Sequence, residues 1–251
     1  MLFVVLPAYN EGPALEKLLP DMIKELQGTQ YRIIVVDDGS KDNTAEVARN
    51  FSAQGVALLQ HAQNQGLPEA LRSGLLLAAE SSDESDIIVT LDSDNTHPTS
   101  LIPLMADKIN RGFDLVVASR FVEGGREVGL PWYRKFLSRG AGWTIKLFFN
   151  IPGVRDYSCG FRAYRAGFLN RGFEYYGGSL IESAGFAVSV ELLLKLSYLA
   201  PKCIEVPLVL RYDLKCGKSK LPFLKTIIGY FSLIYKLKFK RRDNCEAEVE
   251  A

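Results

Sequence analysis

Short apolar runs alternate with amphipathic stretches along the first half of the chain. Residues 2–6, 32–36, 56–60, 87–91 and 115–118 are rich in Val, Ile and Leu and read as buried strands. Between the first two runs, Leu15, Leu18, Leu19, Met22, Ile23 and Leu26 recur at helical spacing. Asp42, Asn43 and Thr44 supply capping groups for a helix running to about Phe51, and Pro68 suits the first turn of another ending near Glu80. Repeated strand–helix–strand units predict an α/β fold with a mostly parallel sheet and helices on both faces. From about Phe121 the chain becomes rich in Gly, Arg and aromatics. Helical patterns cover 133–149 and 186–199, and a strand is expected over 203–211.

Composition adds little until it is resolved by position. The 251 residues carry a net charge of +1, with 47% hydrophobic and 24% charged residues, which excludes disorder and a generic nucleic-acid binder. Residues 1–214 are mildly acidic. Residues 215–242 hold nine Lys/Arg and no acid, and residues 243–251 carry four acids. No stretch reaches the length of uncharged apolar residues that a membrane span needs, because Lys225 and Lys236 interrupt the best one. The N-terminus has neither the charged region nor the apolar length of a signal peptide. The four cysteines lie far apart and only two histidines are present, which disfavours zinc and makes a reducing setting the default.

The chemistry concentrates where strands end. The first runs into Pro7-Ala8-Tyr9-Asn10-Glu11, the second into Asp37-Asp38-Gly39-Ser40, and the fourth into Asp92-Ser93-Asp94-Asn95-Thr96-His97. In an open parallel sheet, ligands bind beyond the carboxyl ends of the strands. Carboxylates gathered there repel unless a cation or a donor-rich ligand compensates them. Mg²⁺ or Mn²⁺, held by one or two carboxylates plus substrate phosphates, suits such a site. An acid such as Asp38 is also able to accept hydrogen bonds from a nucleobase. The simpler reading, turn-capping Asp and Asn, suffices for one such segment but not for three at consecutive strand ends. His97 is expected to bond locally, and His61 reads as surface.

These segments, with Asn64-x-Gly66, resemble the nucleotide-sugar half of family 2 glycosyltransferases of the GT-A, Rossmann-like fold. Ser119-Arg120-Phe121, Asp156 to Arg162 and Gly217-x-Ser219-Lys220-Leu221 narrow the likeness to the polyprenyl-phosphate branch. The resemblance implies that Pro7, Tyr9, Asn10, Glu11, Val36, Asp38, Asp92, Ser93, Arg211 and Lys220 bind a nucleoside diphosphate sugar. Asp92 and Asp94 would hold the metal, with Thr96 standing where such enzymes often carry a Gln ligand. Arg120, Arg134, Ser138 and Ser219 would grip the phosphate of a polyprenyl or dolichyl acceptor, Arg by its planar fork.

A phosphate acceptor needs no strong base, since it is already anionic. The implied reaction is inverting transfer of a hexose, mannose from GDP-mannose or else glucose. A glycan or glycolipid hydroxyl would instead require a carboxylate base, for which Glu191 and Asp156 are the candidates; a non-catalytic sugar-nucleotide-binding subunit is the remaining alternative. Glu191 is equally well read as one half of an internal ion pair.

The expected organisation is a catalytic domain over 1–221, divided into a nucleotide-sugar half (1–119) and an acceptor half (120–221). An amphipathic basic helix (222–242) and an acidic tail (243–251) follow. On that helix Lys225, Gly229, Ser232, Lys236 and Lys240 form a narrow stripe opposite Phe223, Ile227, Tyr230, Phe231, Ile234 and Leu237. The pattern reads as an interfacial helix for a protein peripheral to the cytoplasmic face of a membrane; the competing reading packs it on its own domain. Trp143, Phe148 and Phe149, among Arg134, Lys135, Arg139 and Lys146, offer a second contact. A membrane partner subunit is left open.

Overall fold

The computed structural model of the protein describes residues 1–215 and 223–240, without the side chains of 132–138, 141, 223–227, 239 and 240. Its first half runs β1 (Leu2–Ala8), α1 (Gly12–Glu25), β2 (Tyr31–Asp37), α2 (Thr44–Asn50), β3 (Val56–Gln60), α3 (Leu67–Glu80) and β4 (Ile87–Thr90). Then come α4 (Leu101–Asn110), β5 (Leu115–Ser119), β6 (Arg126–Val128) and α5 (Trp132–Phe148). The rest is β7 (Arg162–Arg165), α6 (Ala166–Tyr176), α7 (Val188–Ser197), β8 (Cys203–Pro207), β9 (Val209–Arg211) and α8 (Phe223–Tyr235).

Seven strands form one sheet in the order β3-β2-β1-β4-β7-β5-β8, and β6 pairs with β9 in a small second sheet. All neighbours in the large sheet are parallel except β7, which runs antiparallel to both β4 and β5. Successive residues Val4, Val5 and Leu6 are fully buried, as are Ile33 to Val36. Side chains alternate between faces along a strand, so burial of consecutive residues means that both faces are covered. On one face α3 comes so close to β1 and β2 that a Cβ on Gly74 would lie 2.5 Å from Val5 Cγ1 and 2.8 Å from Val36 Cγ2.

Several elements depart from the sequence reading. α4, β6, α6 and β7 were not anticipated, and the strand expected over 203–211 breaks at Leu208 into β8 and β9, which join different sheets. β7 reads Arg-Ala-Tyr-Arg and hides its first arginine completely. Arg162 donates to the Tyr157 carbonyl at 2.9 Å and to that of Ser189, so peptide oxygens meet its charge in the core. The apolar face expected on 222–242 is not one free surface. Leu233 and Ile234 are buried in the core, Tyr230 and Leu237 pack against it, and Gly229 lets the helix approach Ala187. Ile228, Phe231 and Tyr235 remain outward as a separate exposed stripe. Among the described residues no helix is long and apolar enough to cross a membrane.

Candidate active site

The carboxyl ends of β1, β2 and β4 are stitched together by their own polar side chains. Asn10, with a left-handed backbone (φ 52°), donates its N–H to Ser40 Oγ at 2.8 Å and accepts from Lys41 N–H at 2.8 Å. Glu11 N–H donates to Thr44 Oγ1 at 2.9 Å. Gly39 also has a left-handed backbone (φ 67°), and a Cβ there would fall 2.5 Å from the Gln63 backbone. Only glycine allows these two loops to meet. Pro7 and Tyr9 are half-buried at the same edge.

Asp38 has a structural task there that the sequence did not suggest. Its carboxylate accepts the N–H groups of Gln65 at 2.9 Å and Gly66 at 2.7 Å, and bonds His61 Nδ1 at 2.8 Å. His61 is therefore not a surface residue. It bridges Asp38 to Ser73 Oγ of α3, 3.1 Å from its other nitrogen. Any contact of Asp38 with a nucleobase comes in addition to these bonds. The Val36 side chain packs against Gly74 of α3, so a ligand contact there would fall to its backbone. Ser93 likewise turns inward and donates to the Pro7 carbonyl at 2.8 Å.

After β4 the chain turns sharply through Asn95, left-handed at φ 64°, and holds both acids of the Asp-x-Asp segment at the edge. Burial pushes the Asp92 carboxyl above its usual range; Asp94 adds to the effect and His97 opposes it. Burial pushes Asp94 up as well, but the Lys215 ammonium and the Thr96 hydroxyl outweigh it and hold this carboxyl low. Thr96 Oγ1 donates to Asp94 Oδ1 at 2.6 Å, so Thr96 orients the acid rather than replacing a third ligand. His97 accepts from Asp92 N–H at 3.2 Å and packs on Phe161, ring centres 5.2 Å apart, as expected of a local role. Lys215, which the sequence did not single out, places its Nζ directly on Asp94 Oδ2. Arg211 ties its strand to this turn through its N–H and the Thr96 carbonyl (3.0 Å), while its guanidinium pairs with Asp213 at 2.7 Å.

Across the edge, Arg120 follows β5. Its Nε and Nη2 each donate to Asp156 at 2.7 Å, Nη2 also to Ser158 at 2.7 Å, and Nη1 meets Glu127 at 3.2 Å. Burial disfavours the charge of Asp156, but Arg120 more than compensates and keeps the carboxyl below its usual range. A carboxylate so compensated is a weak base at neutral pH. Glu191 is likewise taken. It accepts the N–H groups of Glu182 at 2.9 Å and Ser183 at 2.7 Å, and pairs with Lys195 at 2.7 Å. The catalytic role considered for Glu191 gives way to an ion pair that fixes a loop, with a lysine as partner. Cys159 is no nucleophile: burial pushes its thiol up to about 12. Burial pushes the Tyr212 phenol above its usual range, with the Asp92 charge adding to the effect.

Beside Arg120 lies a cavity of about 450 Å³ lined by Phe121, Arg139, Trp143, Lys146 and Arg155 among others, with four cationic side chains and no carboxylate. Arg155, another residue the sequence did not flag, sits on its wall. The side chains of Arg134 and Ser138, and residues Ser219 and Lys220 entirely, lie outside the described residues. Among the described residues no three His, Cys, Asp or Glu side chains gather into a closed metal cage. Two hard carboxylates on one turn nevertheless fit a Mg²⁺ or Mn²⁺ ion that draws its other ligands from a diphosphate.

Loops at the carboxyl ends of a parallel sheet, an Asp-x-Asp turn and a facing cationic wall are the parts of an open α/β ligand-binding architecture. The glycosyl transferase family 2 profile matches residues 3–173, and the chain belongs to that family. It is 34% identical to a dolichol-phosphate mannosyltransferase of Pyrococcus furiosus over 93% of this chain and 62% of that protein. The chain thus spans a little under two thirds of that relative's length. It is 28% identical to a polyprenol monophosphomannose synthase of Mycolicibacterium smegmatis, over 87% of this chain and 80% of the relative. Among solved structures, glucosyl-3-phosphoglycerate synthase of Mycobacterium tuberculosis, crystallised with Mn²⁺, UDP and phosphoglyceric acid, shares the fold. It superposes with a TM-score of 0.66 at 22% identity, covering 93% of this chain and 78% of that one.

Proposed function

We propose that this protein is an inverting, metal-dependent glycosyltransferase that moves a hexose from a nucleoside diphosphate sugar to a polyprenyl or dolichyl phosphate. Mannose from GDP-mannose is the first choice of donor and glucose the second, in keeping with the names of the relatives. The observation that carries the acceptor assignment is the state of the two carboxylates able to serve as a base. Asp156 is bound to Arg120, and Glu191 is bound to loop amides and Lys195. A hydroxyl acceptor would need one of them free; a phosphate acceptor, already anionic, needs neither.

The roles of the chain's own residues follow. The Pro7–Glu11 and Asp37–Ser40 loops, braced by Asp38 and His61, cradle the nucleoside. Asp94, oriented by Thr96, and Asp92 hold the Mg²⁺ or Mn²⁺, which when bound neutralises charge on the departing diphosphate. The cationic cavity of Arg120, Arg139, Lys146 and Arg155 receives the acceptor phosphate, with Arg134 and Ser138 of α5, and Ser219, assisting. The acceptor oxygen then attacks sugar C1 in line from the side opposite the diphosphate.

A polyprenyl chain stays in the bilayer, so the enzyme works at the cytoplasmic membrane surface. Trp143 and Leu147 on α5 stand 82% exposed beside Lys146, and Ile228, Phe231 and Tyr235 project from α8. Aromatic and aliphatic groups next to lysines suit a headgroup boundary. A panel of GDP- and UDP-sugars against short polyprenyl phosphates, with Mn²⁺ or Mg²⁺, tests the proposal. Transfer to the phosphate is expected, and Asp94→Ala abolishes it. Product formed only on hydroxyl acceptors would overturn the acceptor assignment, and full activity of Asp94→Ala would overturn the metal assignment.

A further inference from the structure

One contact at the site is unaccounted for by sugar transfer itself. Lys215 Nζ lies directly on Asp94 Oδ2, 121 positions away in sequence, and is four-fifths buried there. Two anchors bring it in. Arg211 N–H bonds the Thr96 carbonyl at 3.0 Å, which fastens the end of β9 to the Asp-x-Asp turn. Gly129, left-handed at φ 77°, lets Asp213 come so close that a Cβ would lie 2.8 Å from its backbone nitrogen. Between these anchors and Lys215 runs a tight turn, closed by Lys215 N–H on the Tyr212 carbonyl at 3.3 Å, with the Tyr212 ring packed on the core.

Two neighbouring carboxylates, both largely removed from water, are costly to ionise together without a cation. An ammonium hydrogen-bonded to Asp94 supplies one charge of compensation. A divalent ion supplies two and seeks the same oxygen. The two cations repel each other and compete for the same carboxylate.

We infer that Lys215 is a built-in counter-cation for Asp94 which a divalent metal must displace, while the anchors at Arg211 and Asp213 keep the rest of the turn in place. The inference rests on the reading of Asp94 as a metal ligand. Lys215 is then a positioning residue: it keeps the Asp94 carboxylate compensated and oriented until metal takes its place. A site closed for nine-tenths of the time weakens apparent affinity about tenfold, which sets the size of the effect.

Mn²⁺ binding to the full chain, without nucleotide, reads this directly, because free Mn²⁺ is counted by its electron paramagnetic resonance signal. Lys215→Met and Lys215→Gln are expected to bind Mn²⁺ about tenfold more tightly than the wild type. Lys41→Met, an exposed lysine on the loop after β2, controls for net charge and should shift affinity far less. Equal shifts for Lys41→Met and Lys215→Met would overturn the inference. So would wild-type affinity in both Lys215 variants while Asp94→Asn binds weakly, and in that case the metal assignment survives alone. Wild-type Mn²⁺ affinity in Asp94→Asn would remove the metal assignment and the inference with it.

Discussion

Asp156→Asn separates a structural carboxylate from a catalytic one. Asp156 is fully buried and accepts two hydrogen bonds from the Arg120 side chain at 2.7 Å, with backbone N–H groups of Arg120 and Cys159 at 3.1 and 3.2 Å. The amide keeps the shape, removes the charge and turns an NH₂ toward a donor. Breaking one side of a buried pair costs about 3–5 kcal/mol. Glu127, 3.2 Å from Arg120, still offers a counter-charge, so the lower end, about 3 kcal/mol, is expected here. With a urea slope of about 2–3 kcal/mol/M for a chain this large, the midpoint falls by roughly 1 M.

The pH dependence of that gap is the second readout. The folded carboxyl lies below its usual range, so its contribution to stability is complete above the unfolded value of about 3.9 and is lost as pH falls through the lower folded value. The asparagine variant lacks this titration. The gap should therefore stay constant from pH 8 to about 5 and close below about 4. A wild-type midpoint at pH 7, or a gap that widens in acid, would refute the structural role. Loss of turnover at unchanged stability would make Asp156 a base and revive a hydroxyl acceptor.

Two further outcomes are expected. Glu191→Gln should cost about 3 kcal/mol in urea denaturation, because Lys195 is buried beside it, yet retain most of its transfer to phosphate acceptors per folded molecule; loss of that transfer in a fully folded variant would restore Glu191 as the base. His61→Ala removes the strut between Asp38 and Ser73 and should weaken nucleoside diphosphate binding by about three- to tenfold in calorimetry, the equivalent of about 1 kcal/mol, while turnover at saturating donor holds. An unchanged dissociation constant would show that the 64–66 loop does not depend on it.

The sequence was most legible where one physical signal acted alone. β1, β2 and β3 are short apolar runs that give way to polar loops, and their bounds fall within two residues of the expected ones. β7 was illegible because its arginine is neutralised by peptide carbonyls from remote segments, and no local pattern encodes that. The Asp-x-Asp turn and Arg120 were visible as residue types. What holds them was not: Lys215 meets Asp94, and His61 meets Asp38, only after the sheet has formed. The helical period of 223–237 correctly predicted α8 but not which part of its apolar surface faces the protein, because that depends on where Ala187 lies. Val36 illustrates the limit of motif reasoning, since its side chain is taken up by packing against α3 at Gly74, which no local pattern reveals.

The reversed strand β7 has a geometric consequence. It is the single element between β4, which delivers Asp92 and Asp94, and β5, which delivers Arg120. With strands about 4.8 Å apart, it holds those two chain ends roughly 10 Å from each other. On the function proposed above, β7 becomes a ruler laid between two anions, the diphosphate that would leave and the phosphate that would attack. The gap spans about one Debye length at 0.1 M salt, wide enough to soften their repulsion and to admit one sugar ring between them.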